Sequence, residues 1–372
     1  MNSQSGIASI TEGKLANGNG ISMSENVSVC VIVGNGFDMA AGLGTSTNVF
    51  VERFAERHKG EDSPAGRLAM RIRDEGPENW ADFEFKLGEY AATIEESMSG
   101  IDGVAEFISA KSVMEDDLVA FVGEREALVD SDKVEKAAER CLDSICGWFG
   151  ALTPRDRKRF LGEFSSPFTF DFSFVTLNYT HVLDTMVELH GAAFKSVPVN
   201  LVDGYRIHKC VHAHGDLDGN PICGVDNPSQ ICSEEFAADG GVLETVVKGS
   251  TQEMLGSLDD ENAFALIRAA EVVMVYGCSL GATDSRWWKA VIEHLKSFST
   301  KRFVVLFCHG FERNGCSAAT VRNRINHLKE RLFASAEMGD VEDKRHFFDR
   351  IFVLPSNVIF QMVEKLTAEP LR

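Results

Sequence analysis

The stretch VSVCVIVGNGFDMAAGLGTS, residues 27–46, constrains the fold more than any other part of the chain. An apolar run from Val27 to Val33 stops at a glycine turn and passes into a segment of helical composition. A run so short and so apolar reads as a strand buried on both faces, with a strand-to-helix turn after it. Gly34, Asn35, Gly36, Phe37 and Asp38 occupy that turn, and Gly42, Gly44 and Thr45 follow closely. Glycine admits positive φ and lets a phosphate or ribose approach the main chain, while unpaired N–H groups of the next helix supply donors. The spacing matches neither GxGxxG nor GxxxxGK[ST], so a nucleotide cradle and a plain tight turn both stand as readings. Asp38, just inside the turn, is either a helix cap or a ribose ligand.

From about residue 48 to 165 the pattern changes to helical period, as in NVFVERFAERH, WADFEFKLGEYAATIEESM and KVEKAAERCLDSICGWFGAL. This span is expected to be a mainly helical insertion. Strand-like runs return at FSFVTL (172–177 region), CVHAH (210–214), EVVMVYG (271–277), RFVVLFC (302–308) and IFVLP (351–355), with helical segments between several of them. That alternation predicts an α/β fold with a largely parallel sheet covered by helices. Residues 1–26, rich in Ser, Gly and Asn, are expected to be a disordered tail, which leaves 27–372 as the folded domain.

At 372 residues with 44% hydrophobic and 25% charged side chains, the chain has material for a sizeable core. No stretch approaches the roughly 20 apolar residues of a membrane span, and the N-terminus lacks the basic start and apolar run of a secretory signal. A cytoplasmic protein without a membrane partner is expected. Lys and Arg number 37 against 56 Asp and Glu, a formal net charge of -19 that repels polyanions. Direct nucleic-acid binding is therefore not expected, although a few aligned N–H groups can hold a small anion whatever the global charge. The nine cysteines are odd in number and never paired as CxxC, which argues for reduced, buried thiols rather than a disulfide framework or a zinc ribbon.

Two more strand ends carry polar groups. In FVTLNYTHVLD the strand delivers Asn178, Tyr179 and Thr180 to its carboxyl end, where open α/β sheets hold ligands. An Asx turn or helix cap is the alternative for Asn178 and Thr180. In CVHAHGDLDG, His212 and His214 alternate along a strand and so are expected on one face. A metal site, histidines satisfied by backbone, and an acid/base role for His214 beside Gly215 are the three readings, and no recognised third-ligand spacing supports the metal. The run VVMVYGCSLGATDSRWW ends in Gly277, Cys278, Ser279 and Gly281 before a helix beginning near Asp284, a second candidate cradle to which Gly277, Ser279 and Asp284 would contribute. GCSLG departs from the GxSxG of a serine hydrolase.

Taken in order, IVGNGFDMAAGLGTS, WADFEFKLGE, LNYTHVLD, HAHGDLDGNPICGVD and VYGCSLGATDSRWW resemble the signature of the AbiH family of bacterial abortive-infection proteins, over about residues 28–290. That family is similar to sirtuin-like NAD hydrolases of phage defence, and the resemblance implies a Rossmann-like, mostly parallel sheet. It assigns the catalytic Asn and His roles to Asn178 and His214. It places Gly34, Gly36 and Asp38 along the nucleotide, with Gly277 and Ser279 closing the far side. The implied activity is hydrolysis of NAD, as substrate, at the nicotinamide–ribose bond, with no metal required. His214 would accept a proton as a neutral imidazole of ordinary pKa near ~6.5. Lacking a cysteine-zinc module, the chain is not expected to deacylate proteins. The alternative is a non-catalytic nucleotide-binding sensor whose helical insertion engages a protein trigger or a second copy of the chain.

Overall fold

The computed structural model describes residues 24–367 apart from 99, 166, 200, 298, 314, 340–343 and 363. The expected tail lies mostly outside the described residues, and Glu25 and Asn26 belong to the first strand.

That strand, β1 (Glu25–Val33), is the middle of the sheet. Val27, Val29, Val31 and Val33 face one apolar layer, and Cys30 and Ile32 face the other. A period of two with both sets buried is what a strand covered on both faces requires. The remaining strands are β2 (Phe168–Thr176), β3 (Lys195–Val199), β4 (Val202–His212), β5 (Val272–Tyr276), β6 (Phe303–Cys308) and β7 (Ile351–Pro355). They form one seven-stranded sheet in the order β3-β4-β2-β1-β5-β6-β7. Every pairing is parallel except the edge pair β3 and β4, which is antiparallel. The chain winds outward from β1 through β2 to β4, then returns to the other side of β1 at β5. The winding therefore reverses between β1 and β5, and the carboxyl ends of these two strands flank the crevice where open sheets of this kind bind ligands.

β2 begins at Phe168, ahead of the apolar run near 172, because Phe168, Phe170, Phe172 and Phe174 alternate onto one face beneath a single aromatic cluster. β4 likewise starts at Val202 rather than near 210, and β3 was not expected at all. β3 is the edge strand and β4 lies next to it, and exposed β4 residues such as Asp203, His208 and Lys209 dilute the apolar signal.

Between β1 and β2 the chain is helical: α1 (Gly36–Ala41), α2 (Thr47–Arg57), α3 (Pro64–Glu75), α4 (Phe83–Ser97), α5 (Gly100–Glu126), α6 (Ser131–Asp143), α7 (Gly147–Ala151) and α8 (Pro154–Phe160). Cap residues mark several starts: Ser63 accepts from Gly66 N ahead of Pro64, and Asp130 accepts from the N–H groups of Asp132 and Lys133. These helices serve two separate cores. α2 to α5 bury Phe50, Phe54, Leu68, Leu87, Phe107 and Phe121 among themselves and against Val225, Ile231, Phe236 and Val246 of the later chain. α6 to α8 instead lay Val134, Cys141, Trp148, Phe149 and Phe160 on the Phe-rich face of the sheet, beside α9 (Val182–His190).

After β4 come α10 (Glu234–Ala237), α11 (Gly240–Val246), α12 (Lys248–Leu255), α13 (Asp259–Ala269), α14 (Ser285–Lys296) and α15 (Ala318–Ser335). α13 to α15 cover the opposite face through Ile267, Trp287, Trp288, Val291 and Phe333. The protein is thus an α/β structure with a mostly parallel sheet between two helical layers and a further helical layer at one end. Among the described residues no helix is long and apolar enough to cross a membrane.

Phe170 is fully buried and its ring meets those of Trp148, Phe149, Phe168 and Phe172. Phe170→Ala should cost about 3–5 kcal/mol in urea unfolding, the range for deleting a core aromatic ring that neighbours cannot replace.

Candidate functional site

The site begins where two strand-end turns press together. Gly34 N–H donates to Tyr276 O at 2.9 Å, and Gly36 N–H donates to Gly277 O at 2.8 Å. A Cβ on Gly36 would sit 2.5 Å from Gly277 Cα, and one on Gly34 would meet Cys278 Sγ at 2.8 Å. Gly277 itself has φ of +69°, a conformation that side chains disfavour. Glycine is required here by backbone meeting backbone. The N–H groups of Gly34, Gly36 and Phe37 are committed to protein carbonyls, so these three are not the unpaired donors that the sequence reading assigned to a phosphate.

Around this contact lies a cavity of about 1200 Å³, above the common range of small-molecule sites at roughly 300–1,000 Å³. Its floor is the carboxyl edge of the sheet, and its roof includes Phe50, Phe83, Leu118 and Val122 of α2, α4 and α5. Gly34, Asn35, Gly36, Asp38, Thr45, Asn178, His214, Gly277, Ser279 and Asp284 all line it. Phe37 does not: its ring is fully buried beneath the turn, edge-on to Phe360 at 5.2 Å.

Asn35 and Thr45 lock the loop after α1. Asn35 Nδ2 donates to Thr45 O at 2.7 Å, and Thr45 Oγ1 donates to Asn35 Oδ1 at 2.5 Å. Their polar groups face each other across the cavity wall, so their part in the site is to hold its shape. Asn178, placed by the end of β2, donates from Nδ2 to Gly34 O at 3.3 Å and accepts at its own carbonyl from His212 Nδ1 at 2.9 Å.

Asp38 is 2% exposed, and its Oδ2 accepts from Thr180 Oγ1 at 2.9 Å, while its Oδ1 has no partner. The carboxyl is therefore not a satisfied helix cap. Burial pushes its pKa up to about 7; the bond from Thr180 opposes that shift and the Glu126 charge adds to it.

His212 and His214 do not share a face. The regular strand ends at His212, whose Nε2 meets Asp184 Oδ2 of α9 at 2.7 Å. Gly215, with φ of +71°, lies in the turn that follows. His214 Nε2 accepts from the indole N–H of Trp287, on α14 across the sheet, at 3.2 Å. The two imidazoles thus belong to opposite sides, and the alternation that predicted otherwise stops one residue too early. Burial, with Lys248 adding, drives the His214 pKa down to about 3. A base so weak stays neutral at ordinary pH, with the indole bond on Nε2 leaving the proton on Nδ1. His214 is suited to donating and positioning rather than to accepting a proton.

The sequence reading missed the strongest electrostatic feature of the cavity. Lys248 is 1% exposed, and its Nζ donates to Glu84 Oε2 at 2.9 Å, Asp284 Oδ1 at 2.8 Å and Thr283 O at 2.9 Å. Burial alone would lift the Asp284 pKa, but the Lys248 ammonium holds it below the ordinary value. Burial outweighs Lys248 at Glu84 and raises that carboxyl. The cluster joins α4, α12 and the segment after β5, which lie far apart in sequence. No local pattern announces it, although a lysine opening α12 beside Val246 and Val247 is an uncommon burial. Farther along the cavity, His309 just after β6 and Arg331 of α15 add ionisable side chains to the lining.

A family model described as bacteriophage abortive infection AbiH matches residues 30–306, well over half of the chain. No curated protein matches it.

Two expected outcomes follow from this geometry. Gly36→Ala should force the β1 and β5 turns apart and lower stability by about 1–3 kcal/mol, as overpacking does, measured by denaturant unfolding. Asp38 has a folded pKa of about 7 against an ordinary 3.8, so the unfolded chain loses its proton first as pH rises. The folded state is then penalised progressively between those two values and fully above the upper one, by an amount on the order of a few kcal/mol. Asp38→Asn should accordingly raise Tm at pH about 8 and leave it nearly unchanged near pH 4; equal shifts at both pH values would show that Asp38 is not buried and uncompensated.

Proposed function

Because the chain belongs to the bacteriophage abortive infection AbiH family, which implies a role in aborting phage infection, we propose that it acts there by hydrolysing NAD at the nicotinamide–ribose bond. The observation that carries this reading is the coincidence of one large cavity with the point where the sheet reverses its winding, lined by Asn178, His214 and an unpaired buried carboxyl at Asp38. Setting aside the antiparallel edge strand, the parallel strands run third, second, first, fourth, fifth, sixth, the order of doubly wound dinucleotide-binding sheets. On that basis the fold is read as Rossmann-like.

The chemistry asks little of an acid. When the bond from C1′ to the pyridinium nitrogen breaks, both electrons stay with nitrogen and nicotinamide leaves neutral. An oxocarbenium-like ribose remains, water attacks C1′, and one proton must be taken up. Asn178, held by Gly34 O and by His212, orients ribose or water. His214, neutral and anchored on Trp287, donates from Nδ1. The proton goes to Asp38, whose carboxyl near pH 7 is matched to operating pH as a general base should be. That assignment replaces His214 in the accepting role. The acidic cavity end, with Glu84 and Asp284 around Lys248, suits the cationic nicotinamide ribose, and Arg331 suits the diphosphate side.

The test is release of nicotinamide from NAD by the purified chain, beside direct NAD binding. Asn178→Ala and His214→Ala should each lower turnover by ~10²-fold or more with the fold intact. Turnover should rise with pH through about 7, and Asp38→Asn should lose both the rise and the activity. Retained turnover in a variant removes that residue from the mechanism. Binding without release favours a nucleotide sensor, and absence of both overturns the NAD reading.

A further inference from the structure

On the far side of the sheet from His214, three side chains of different chemistry converge. Cys210 and His212 stand two residues apart on β4 and so share a face. Asp184 reaches them from the first turn of α9, which packs over that face. One ligand atom from each, Cys210 Sγ, His212 Nε2 and an Asp184 carboxylate oxygen, lies within 4.8 Å of the other two. His212 Nδ1 donates to the carbonyl of Asn178, which fixes the ring and aims Nε2 at Asp184 and Cys210.

We propose that Asp184, Cys210 and His212 form a divalent transition-metal site of the kind zinc occupies, with the fourth position open to water or a small ligand.

Thiolate, imidazole and carboxylate together select a borderline-soft ion such as Zn²⁺ over Mg²⁺ or Ca²⁺, which demand oxygen-rich shells. A metal-bound histidine characteristically gives its other ring N–H to a carbonyl or carboxylate, and the bond to Asn178 has that form. The Asp216 carboxylate adds negative charge near His212. A quarter of the Asp184 side chain is exposed, which leaves an entry path. On binding, the ion displaces the thiol proton and the proton shared between His212 Nε2 and Asp184, and solvent takes up both.

This departs from the expectation that no metal is held, which rested on the lack of a CxxC pair or a known ligand spacing. Cys-x-His on a strand supplies two ligands, but the third comes from a helix 26 residues earlier in sequence, so spacing cannot show it. A metal here would stiffen the main chain at Asn178 through His212. The site stands on its own ligands, whether or not the adjoining cavity turns over NAD.

Co²⁺ is the probe. Added to the metal-free full-length chain under reducing conditions, it should bind with one equivalent and give a thiolate-to-cobalt charge-transfer band with the visible bands of tetrahedral cobalt, and Zn²⁺ should displace it. Cys210→Ser should abolish the charge-transfer band, and His212→Gln and Asp184→Asn should each weaken binding by about tenfold or more. Circular dichroism checks each variant for folding, and the two non-cysteine variants keep the test decisive if Cys210→Ser does not fold. Absence of the band in the parent chain, or its persistence unchanged in Cys210→Ser, would overturn the site.

Discussion

The cavity end of this protein depends on the contact between the first and fifth strand ends. Gly36 N–H donates to Gly277 O, and the two backbones lie so close that a single methyl at Gly36 would overlap Gly277 Cα. This contact closes the floor of the cavity at the point where the sheet changes direction. It also decides where Asp38 and Asn178 stand, since the former lies in the first turn of the helix that begins at Gly36 and the latter is bonded to Gly34 O. A glycine motif usually read as room for a ligand is first of all room for another strand, and the cavity lies beside it.

Around that floor the charges are arranged with opposite consequences. Lys248 is deeply buried but fully engaged, with two carboxylates and a carbonyl around its ammonium. Such a group is strongly disfavoured only when one partner is removed. Asp38 is buried with one oxygen unengaged, which weakens the folded state whenever it is ionised. Cavity-lining acids with an unsatisfied oxygen are a setting in which stability and activity commonly compete. His214 illustrates the reverse: burial and an indole bond make it neutral across the useful pH range, so its value lies in its position.

The helical segment between the first two strands shows how far periodicity reaches. Its helices follow from apolar spacing and from caps such as Ser63 and Asp130, yet spacing does not say which core each will join. α2 to α5 build a layer with residues near 225–246 and roof the cavity, whereas α6 to α8 cover the sheet. Trp148 and Phe149 join the sheet core because the Phe residues of β2 all point that way. The destination of α2 to α5 is set by partners far along the chain, and α6 to α8 pack on both nearby residues of β2 and distant ones such as Phe303.

By itself the sequence determined the elements whose signal is local: the buried central strand, the glycine turns after β1 and β5, the polar residues that follow β2, and the helical character of the span before it. These rest on period, turn chemistry and caps, which act within a few residues. It also brought ten cavity-lining positions into view, because α/β sheets deliver strand-end residues to one edge. Tertiary structure alone decided that Phe37 turns into the core, that His212 and His214 separate to opposite sides, and that Asp184 joins Cys210. It alone decided that Lys248 is clasped between Glu84 and Asp284 and that Asp38 keeps an unpaired oxygen. The reason is common to all of these: burial and charge pairing are set by groups far apart along the chain, and a residue's ionisation and role follow from what surrounds it rather than from its neighbours in sequence.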